Sequence, residues 1–259
     1  LPVVGEYLNY GLSFLASASR LGYGYWAAGG LSNCARPVKL LVIYQYEGCP
    51  FCRKVREAIS VLALDVLVKP CPRETLKAYG HIDESRYRPE AEKIGGKVMF
   101  PLLLDPNVSE DFHLYESDAI VAHLWGTYGQ GAQKPLLCKV AEALKGTLFL
   151  ATLFRLLPHM GILRTPSLLP ADHQPLELFS NEGNPMCRIV REALDSLELP
   201  YLLRSCPVGG PTAADNLPEL RDLNSGRQLT GARSIVTYLH ATYATGPVLQ
   251  ESWACYSTK

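Results

Sequence analysis

Part of this chain occurs twice. Residues 47–72, EGCPFCRKVREAISVLALDVLVKPCP, align without gaps to residues 182–207, EGNPMCRIVREALDSLELPYLLRSCP, and fourteen of the 26 positions are identical. Each segment follows a strand-like apolar run, Leu40–Tyr46 in the first and Leu176–Ser180 in the second. In the first copy Val55, Ala58, Ile59 and Leu62 then fall at i, i+3, i+4 and i+7, the spacing of a helix with one apolar face. A repeated strand–turn–helix unit restricts the chain to an α/β architecture made of two related halves.

The copies differ where chemistry would occur. Cys49 and Cys52 in the first stand against Asn184 and Cys187 in the second. Cys49 is placed at a strand-to-helix turn, where unpaired N–H groups and the helix dipole favour a thiolate. Only the thiolate attacks disulfides, so Cys49 is the candidate nucleophile, and it is expected to face solvent. Cys52 lies one turn on, within reach to resolve a mixed disulfide. An amide cannot attack, so Asn184 is expected to be inert. Further along, Ser117–Val121 corresponds to Ala232–Val236, which makes the second copy 20 residues shorter. The shortfall matches the strand-like segments Val98–Leu104 and Phe112–Tyr115, while Leu217–Leu229 is polar and alternates poorly. The second copy is therefore expected to keep two strands and to need packing on the first copy, on the connector or on another protein.

Between the copies, Leu136–Leu157 reads as one helix with a broad apolar surface, interrupted by Lys139, Glu142, Lys145 and Arg155 and ended by Pro158, Pro166 and Pro170. It is either a buried bridge or a surface for a membrane or a partner, and residues 1–33, with Tyr7, Leu8, Tyr10, Leu12, Phe14 and Leu15, raise the same question. The formal net charge is zero, which removes the bulk electrostatic case for nucleic acid or an anionic membrane as main partner. Eight cysteines in 259 residues show no paired framework, and a reducing compartment fits better. No apolar run is long enough for a transmembrane helix. A chain opening at Leu1 is read as a processed form or a fragment.

The first copy orders as strand (39–46), helix (50–63), strand (65–69), helix (about 85–94), strand (98–104), strand (112–115) and helix (117–127). With CPFC at the first turn this resembles the thioredoxin fold, closest to glutaredoxins and the N-terminal domain of glutathione transferases. The whole chain resembles the tandem glutathione-transferase-N-terminal-like proteins of plant and algal chloroplasts. The resemblance implies two thioredoxin-like units in tandem, the second truncated, joined by a helical connector. Its divisions are an extension (1–37), the CPFC domain (38–129), the connector (130–173), the degenerate domain (174–246) and a tail (247–259). It also implies a cis bond before Pro101, with Phe100 and Pro101 holding the cysteine portion of glutathione. Glu116 and Ser117, and Asp118 more weakly, would bind the γ-glutamyl carboxylate at a helix N-terminus. Ser117 or Asp118 is expected to cap that helix by its side chain.

Arg53, Lys54 and Arg56 either supply a cationic field for Cys49 or form a solvated helix face, and Tyr46 packs beside the sulfur or in the core. A second C-x-x-C is lacking at usable spacing, which argues against structural zinc, and no metal is expected. An iron–sulfur cluster bridged by glutathione stays open as a variant. Cys71 and Cys206, each before a proline, suggest a structural role, while Cys34, Cys138 and Cys255 have no assigned partner. Two functions follow. The first is a glutathione-dependent, glutaredoxin-like oxidoreductase acting on glutathione or protein disulfides in a chloroplast stroma. The other is a non-catalytic accessory subunit or assembly factor of a thylakoid complex, held through the second domain and the terminal segments. A conventional glutathione transferase fits less well, because that family needs an all-helical second domain.

Overall fold

Short strands and amphipathic helices follow one another along the chain, and the four strands of each half come in the same order. The computed structural model describes residues 2–73, 85–144, 146–156, 164–165, 167–212, 214 and 216–245. Cys255, the tail 247–259, Pro158 and Pro166 lie outside the described residues. The first half runs α1 (Pro2–Ala18), β1 (Leu41–Gln45), α2 (Pro50–Val61), β2 (Val66–Pro70), α3 (Arg88–Gly95), β3 (Leu102–Leu104), β4 (His113–Leu114) and α4 (Ser117–Tyr128). The second runs α5 (Leu136–Ala143), α6 (Thr147–Leu156), β5 (Leu176–Ser180), α7 (Pro185–Ser196), β6 (Tyr201–Ser205), β7 (Glu219–Asp222), β8 (Arg227–Thr230) and α8 (Ala232–Tyr243).

All eight strands form one mixed sheet, ordered β4-β3-β1-β2-β6-β5-β7-β8. The order is a palindrome of equivalent strands, joined at its centre by antiparallel pairing of β2 with β6. The register there is Val66 with Leu203, Leu67 with Leu202 and Val68 with Tyr201. In the repeat alignment Leu67 is the counterpart of Leu202, so the two copies pair with each other about an internal two-fold axis at that position. Pairing closes the edge that each unit would otherwise expose.

The expectation of a two-stranded second copy is corrected. β7 pairs antiparallel with β5, and β8 with β7, as β3 and β4 do in the first half. What the second copy lacks is α3. From Cys71 to Pro101 is 30 positions and from Cys206 to Pro218 only 12, so eighteen of the missing residues fall there. The weak alternation has a physical cause. Asp222 is buried in β7, and its carboxylate accepts hydrogen bonds from the hydroxyls of Tyr238 (2.5 Å) and Tyr243 (2.6 Å) and the N–H of Asn224 (2.8 Å). β8 is an edge strand, mostly exposed. Asp105 is the counterpart in the first half, bonded to Tyr128 (2.8 Å), His123 (2.8 Å) and Asn107 N–H (3.0 Å).

Loss of α3 is matched in composition. In the first half, Tyr44 and Leu102 face α3 and pack with Ala91 in a small second core. The second half carries charge on that face instead: Arg204 pairs with Glu177 (2.7 Å) and Asp65 (3.0 Å), and Arg221 lies 4.3 Å above the Phe179 ring. A sheet face covered by such side chains tolerates water.

The other face carries the main core and the helices, with α1 packed on α6 and α7, and α6 on α2. This arrangement uncovers a longer repeat. Gly11–Leu21 (GLSFLASASRL) and Gly146–Leu156 (GTLFLATLFRL) share six of eleven residues at the same offset as the motif repeat, so α1 and α6 are counterparts. The expected continuous helix over Leu136–Leu157 is broken, because Leu144 leaves helical geometry with ψ at 63°. Asn9, the counterpart of Leu144, accepts Arg155 through its Oδ1 (2.7 Å) and carbonyl (3.0 Å). Leucine has no such acceptor, and the equivalent Arg20 bonds instead to Ala141 O (2.7 Å) and Thr147 Oγ1 (2.6 Å) on either side of the break.

Candidate active site

A residue in extended conformation just before a helix, followed by proline at the first helical position, presents its side chain to the free N–H groups of the first turn. Cys49 does this with φ −79° and ψ 123°, and its sulfur accepts the Cys52 N–H at 3.3 Å. Burial raises the Cys49 thiol. Hydrogen bonds from the Cys52 side chain and N–H, the charge of Arg56 and the Phe51 N–H outweigh it and bring the thiol down to about 7. Cys52 moves the opposite way, raised well above its usual value by full burial and by its bond to Cys49. The pair thus divides into an attacking sulfur and a protonated resolving one. Alkylation of Cys49 by iodoacetamide is expected to rise about tenfold per pH unit up to a midpoint near 7, and then level off. A midpoint at the ordinary thiol value of about 8.5 in the stopped-flow profile would refute this activation.

The expected solvent-facing sulfur is corrected to a recessed one. Cys49 is only 3% exposed, packed with Tyr46, Cys52 and Phe100. It sits on the floor of an open groove of about 330 Å³. Phe100, Pro101, Glu116 and Ser117 line the same groove, and the Phe100–Pro101 bond is cis, as is Leu217–Pro218 in the second unit. Cys52 lies beneath and does not line it. Asp118 faces a neighbouring cavity of about 560 Å³ and pairs with Lys54. Nor do Ser117 and Asp118 cap α4: the cap position is Glu116, and no side chain bonds the free N–H groups there. Glu116 holds φ 67°, a conformation that glycine adopts readily, and the second unit has Gly231 (φ 83°) at the matching place. The first unit thus keeps a carboxylate in a backbone setting that disfavours it, at the rim of the thiol groove.

The groove also contains residues that the motif did not indicate. Arg73 donates to the Tyr46 hydroxyl at 2.5 Å and lies over its ring. Arg88, at the start of α3, bonds the carbonyls of Cys71 and Pro72 (both 2.9 Å) and lies 5.0 Å above Phe100. Both belong to the first copy alone: Val208 replaces Arg73, and Arg88 sits in the stretch the second copy lacks. That contrast is the sequence signal by which they could have been found.

The solvated-face reading of Arg53 and Arg56 is corrected, while the charge of Arg56 does act on Cys49. Both are buried at the seam between the units. Arg56 contacts Glu182 (3.1 Å) and Glu47 (3.2 Å), and its twin Arg191 contacts Glu47 (3.1 Å) and Glu182 (2.9 Å). Around this ring Arg20 pairs with Glu57 (2.7 Å) and Arg155 with Glu192 (2.5 Å). Against the cost of burial, Arg191 and Arg56 hold the Glu47 carboxyl down to about 2. The charged residues of the shared E-G-x-P-x-C-R-x-V-R-E-A motif thus lie at the seam, and through Arg56 the seam also favours the Cys49 thiolate. Arg155, expected to interrupt an apolar surface, points inward to this ring.

In the second unit Asn184 has the same backbone as Cys49, φ −79° and ψ 121°, and caps α7 through Oδ1 to Met186 N–H (2.8 Å) and Cys187 N–H (3.3 Å). The amide keeps the capping role and loses the nucleophile. Cys71 and Cys206 are buried as free thiols, as are Cys34 and Cys138. Among the described residues no group of three or more His, Cys, Asp or Glu could hold a metal ion, and no helix is long and apolar enough to cross a membrane.

Residues 43–132, from β1 to just beyond α4, match the family model described as the glutathione S-transferase N-terminal domain. Among solved structures, the trimeric glutathione transferase TDR1 of Leishmania is similar at 12% identity over 82% of this chain and 69% of that chain, with a TM-score of 0.26. No curated protein matches.

Proposed function

We propose that the first unit is a glutathione-dependent thiol–disulfide oxidoreductase of glutaredoxin type. The observation that carries this reading is a recessed thiol brought down to about 7 on the floor of a groove that Glu116 and Ser117 also line. Its volume falls within the usual range of about 300–1,000 Å³ for small-molecule sites. The match of this unit to a glutathione transferase N-terminal domain supports glutathione as the ligand. The free N–H groups of α4 suit its γ-glutamyl carboxylate.

In the reaction the Cys49 thiolate attacks the glutathione sulfur of a mixed disulfide. A bond forms between Cys49 and glutathione, the substrate thiolate leaves and takes a proton from solvent. A second glutathione, deprotonated, then attacks the glutathione sulfur of that adduct, releasing glutathione disulfide and the Cys49 thiolate. In the alternative branch Cys52 loses its proton, attacks Cys49 and releases glutathione, leaving a Cys49–Cys52 disulfide that further glutathione reduces.

The test is covalent trapping. A Cys52→Ser variant incubated with glutathione disulfide at pH 7 should gain one glutathione, mapped to Cys49 by peptide mass spectrometry. Absence of that adduct, or modification of other cysteines in preference, overturns the reading. The accessory-subunit alternative draws on the inert second unit, and it gains ground if no adduct forms.

A further inference from the structure

Both copies keep apolar residues exposed at the same places, although one of them, Phe149, also meets the Phe51 ring edge-on at 6.0 Å. Phe14 and Leu15 on α1 are 62% and 45% exposed, and their counterparts Phe149 and Leu150 on α6 are 57% and 41% exposed. The two units have diverged at many buried positions, yet these outward pairs are identical. Three residues before each phenylalanine stands a glycine, Gly11 and Gly146, at which a Cβ would meet nothing within 4 Å. No internal contact therefore requires glycine, although within a helix, as at Gly11, it costs about 1 kcal/mol relative to alanine. None of the exposed residues described on α1 or α6 is charged.

Each helix thus offers a knob, the phenylalanine, beside a hollow, the glycine. The internal two-fold axis repeats both on one face. The face continues the seam between the units, since Ala16 and Ala151 are buried next to the exposed Leu15 and Leu150. A face that repeats knob and hollow about a two-fold axis is complementary to itself, and that is what an isologous contact requires. Exposed aromatic rings of Tyr7, Phe14 and Phe149 offer roughly 350 Å², and the neighbouring leucines bring this towards the order of 800 Å² per partner that stable contacts bury. A lipid surface fits less well, because interfacial helices carry lysine and arginine, and hollows gain nothing against fluid chains. We propose that the α1/α6 face packs against the same face of a second copy of this chain, phenylalanine into glycine hollow.

The test is sedimentation equilibrium of the full chain from about 1 to 100 µM, beside Phe14→Glu/Phe149→Glu and Gly11→Leu variants, with circular dichroism melts to verify folding. A dimer is expected for the parent. The double glutamate variant should be monomeric and still folded, with only the small drop in melting temperature that loss of the edge-on Phe149–Phe51 contact brings. Gly11→Leu should weaken association at least about tenfold by filling the hollow. A monomeric parent at about 100 µM overturns the proposal. So does stronger association of Gly11→Leu, or a parent that floats with phosphatidylcholine vesicles while staying monomeric in solution.

Discussion

A Cys49→Ser variant is expected to lose glutathione mixed-disulfide reduction by about a thousandfold or more, to the level of the uncatalysed reaction. A serine hydroxyl at the same turn meets the same N–H groups and the same Arg56 charge, but stays protonated at neutral pH and cannot displace a thiolate. Cys52→Ser should behave differently. Cys52 does not line the groove, and its thiol is held protonated, so it contributes only after the adduct has formed. With glutathione in excess, the second glutathione takes over resolution and turnover should fall less than about tenfold. The coupled assay with glutathione reductase distinguishes the two. Equal losses in both variants would make Cys52 obligatory, and an active Cys49→Ser would remove the nucleophile from position 49.

Replacing Glu47 by alanine is expected to cost about 3–5 kcal/mol of stability, the usual result of deleting one partner from a buried ion network. Glu47 bridges two guanidinium groups from different halves of the chain, Arg56 and Arg191, and all three are buried. Without the carboxylate, both cations keep their desolvation cost and share only Glu182. For a chain of this size the melting temperature should drop by roughly 6–20 °C. Lys54→Ala removes an ion pair of similar appearance, but Asp118 there is exposed, and the loss should stay below about 1 kcal/mol. The pH dependence has a defined sign. The folded-state value of Glu47 lies near 2, below its ordinary value of 4.5. Its contribution is therefore fully present above 4.5 and is lost as the pH falls towards 2. The stability gap between parent and Glu47→Ala, measured by urea unfolding, should narrow over that interval; a gap independent of pH would show that the carboxylate is not the source.

Features of the sequence that depend on near neighbours were legible. The repeat, the strand–helix turn and the proline after Cys49 specify how the backbone runs for a few residues either way, and the structure has that geometry at Cys49 and again at Asn184. β7 and β8 were not legible, because Asp222 looks like a loop residue until Tyr238 and Tyr243 are seen to bond it. A repeated Asp-x-Asn turn, Asp105–Asn107 and Asp222–Asn224, was the available clue. The solvated-face alternative for Arg53 and Arg56 failed for a related reason. Charged residues on a helix are usually solvated, and nothing within a few residues of Arg56 reveals that Glu182, 126 positions away, will lie against it.

The sequence by itself determined two copies of one unit, a thiol at a helix start in the first and an amide in its place in the second, because hydrogen bonding at a turn is a local matter. Only the tertiary structure decided that the copies join edge to edge through β2 and β6, and that their shared arginines and glutamates close a buried ring. It also decided that Cys49 lies recessed between Tyr46 and Phe100. Those outcomes depend on desolvation, and desolvation depends on atoms brought together from distant parts of the chain, Phe100 onto Cys49 and Glu182 onto Arg56.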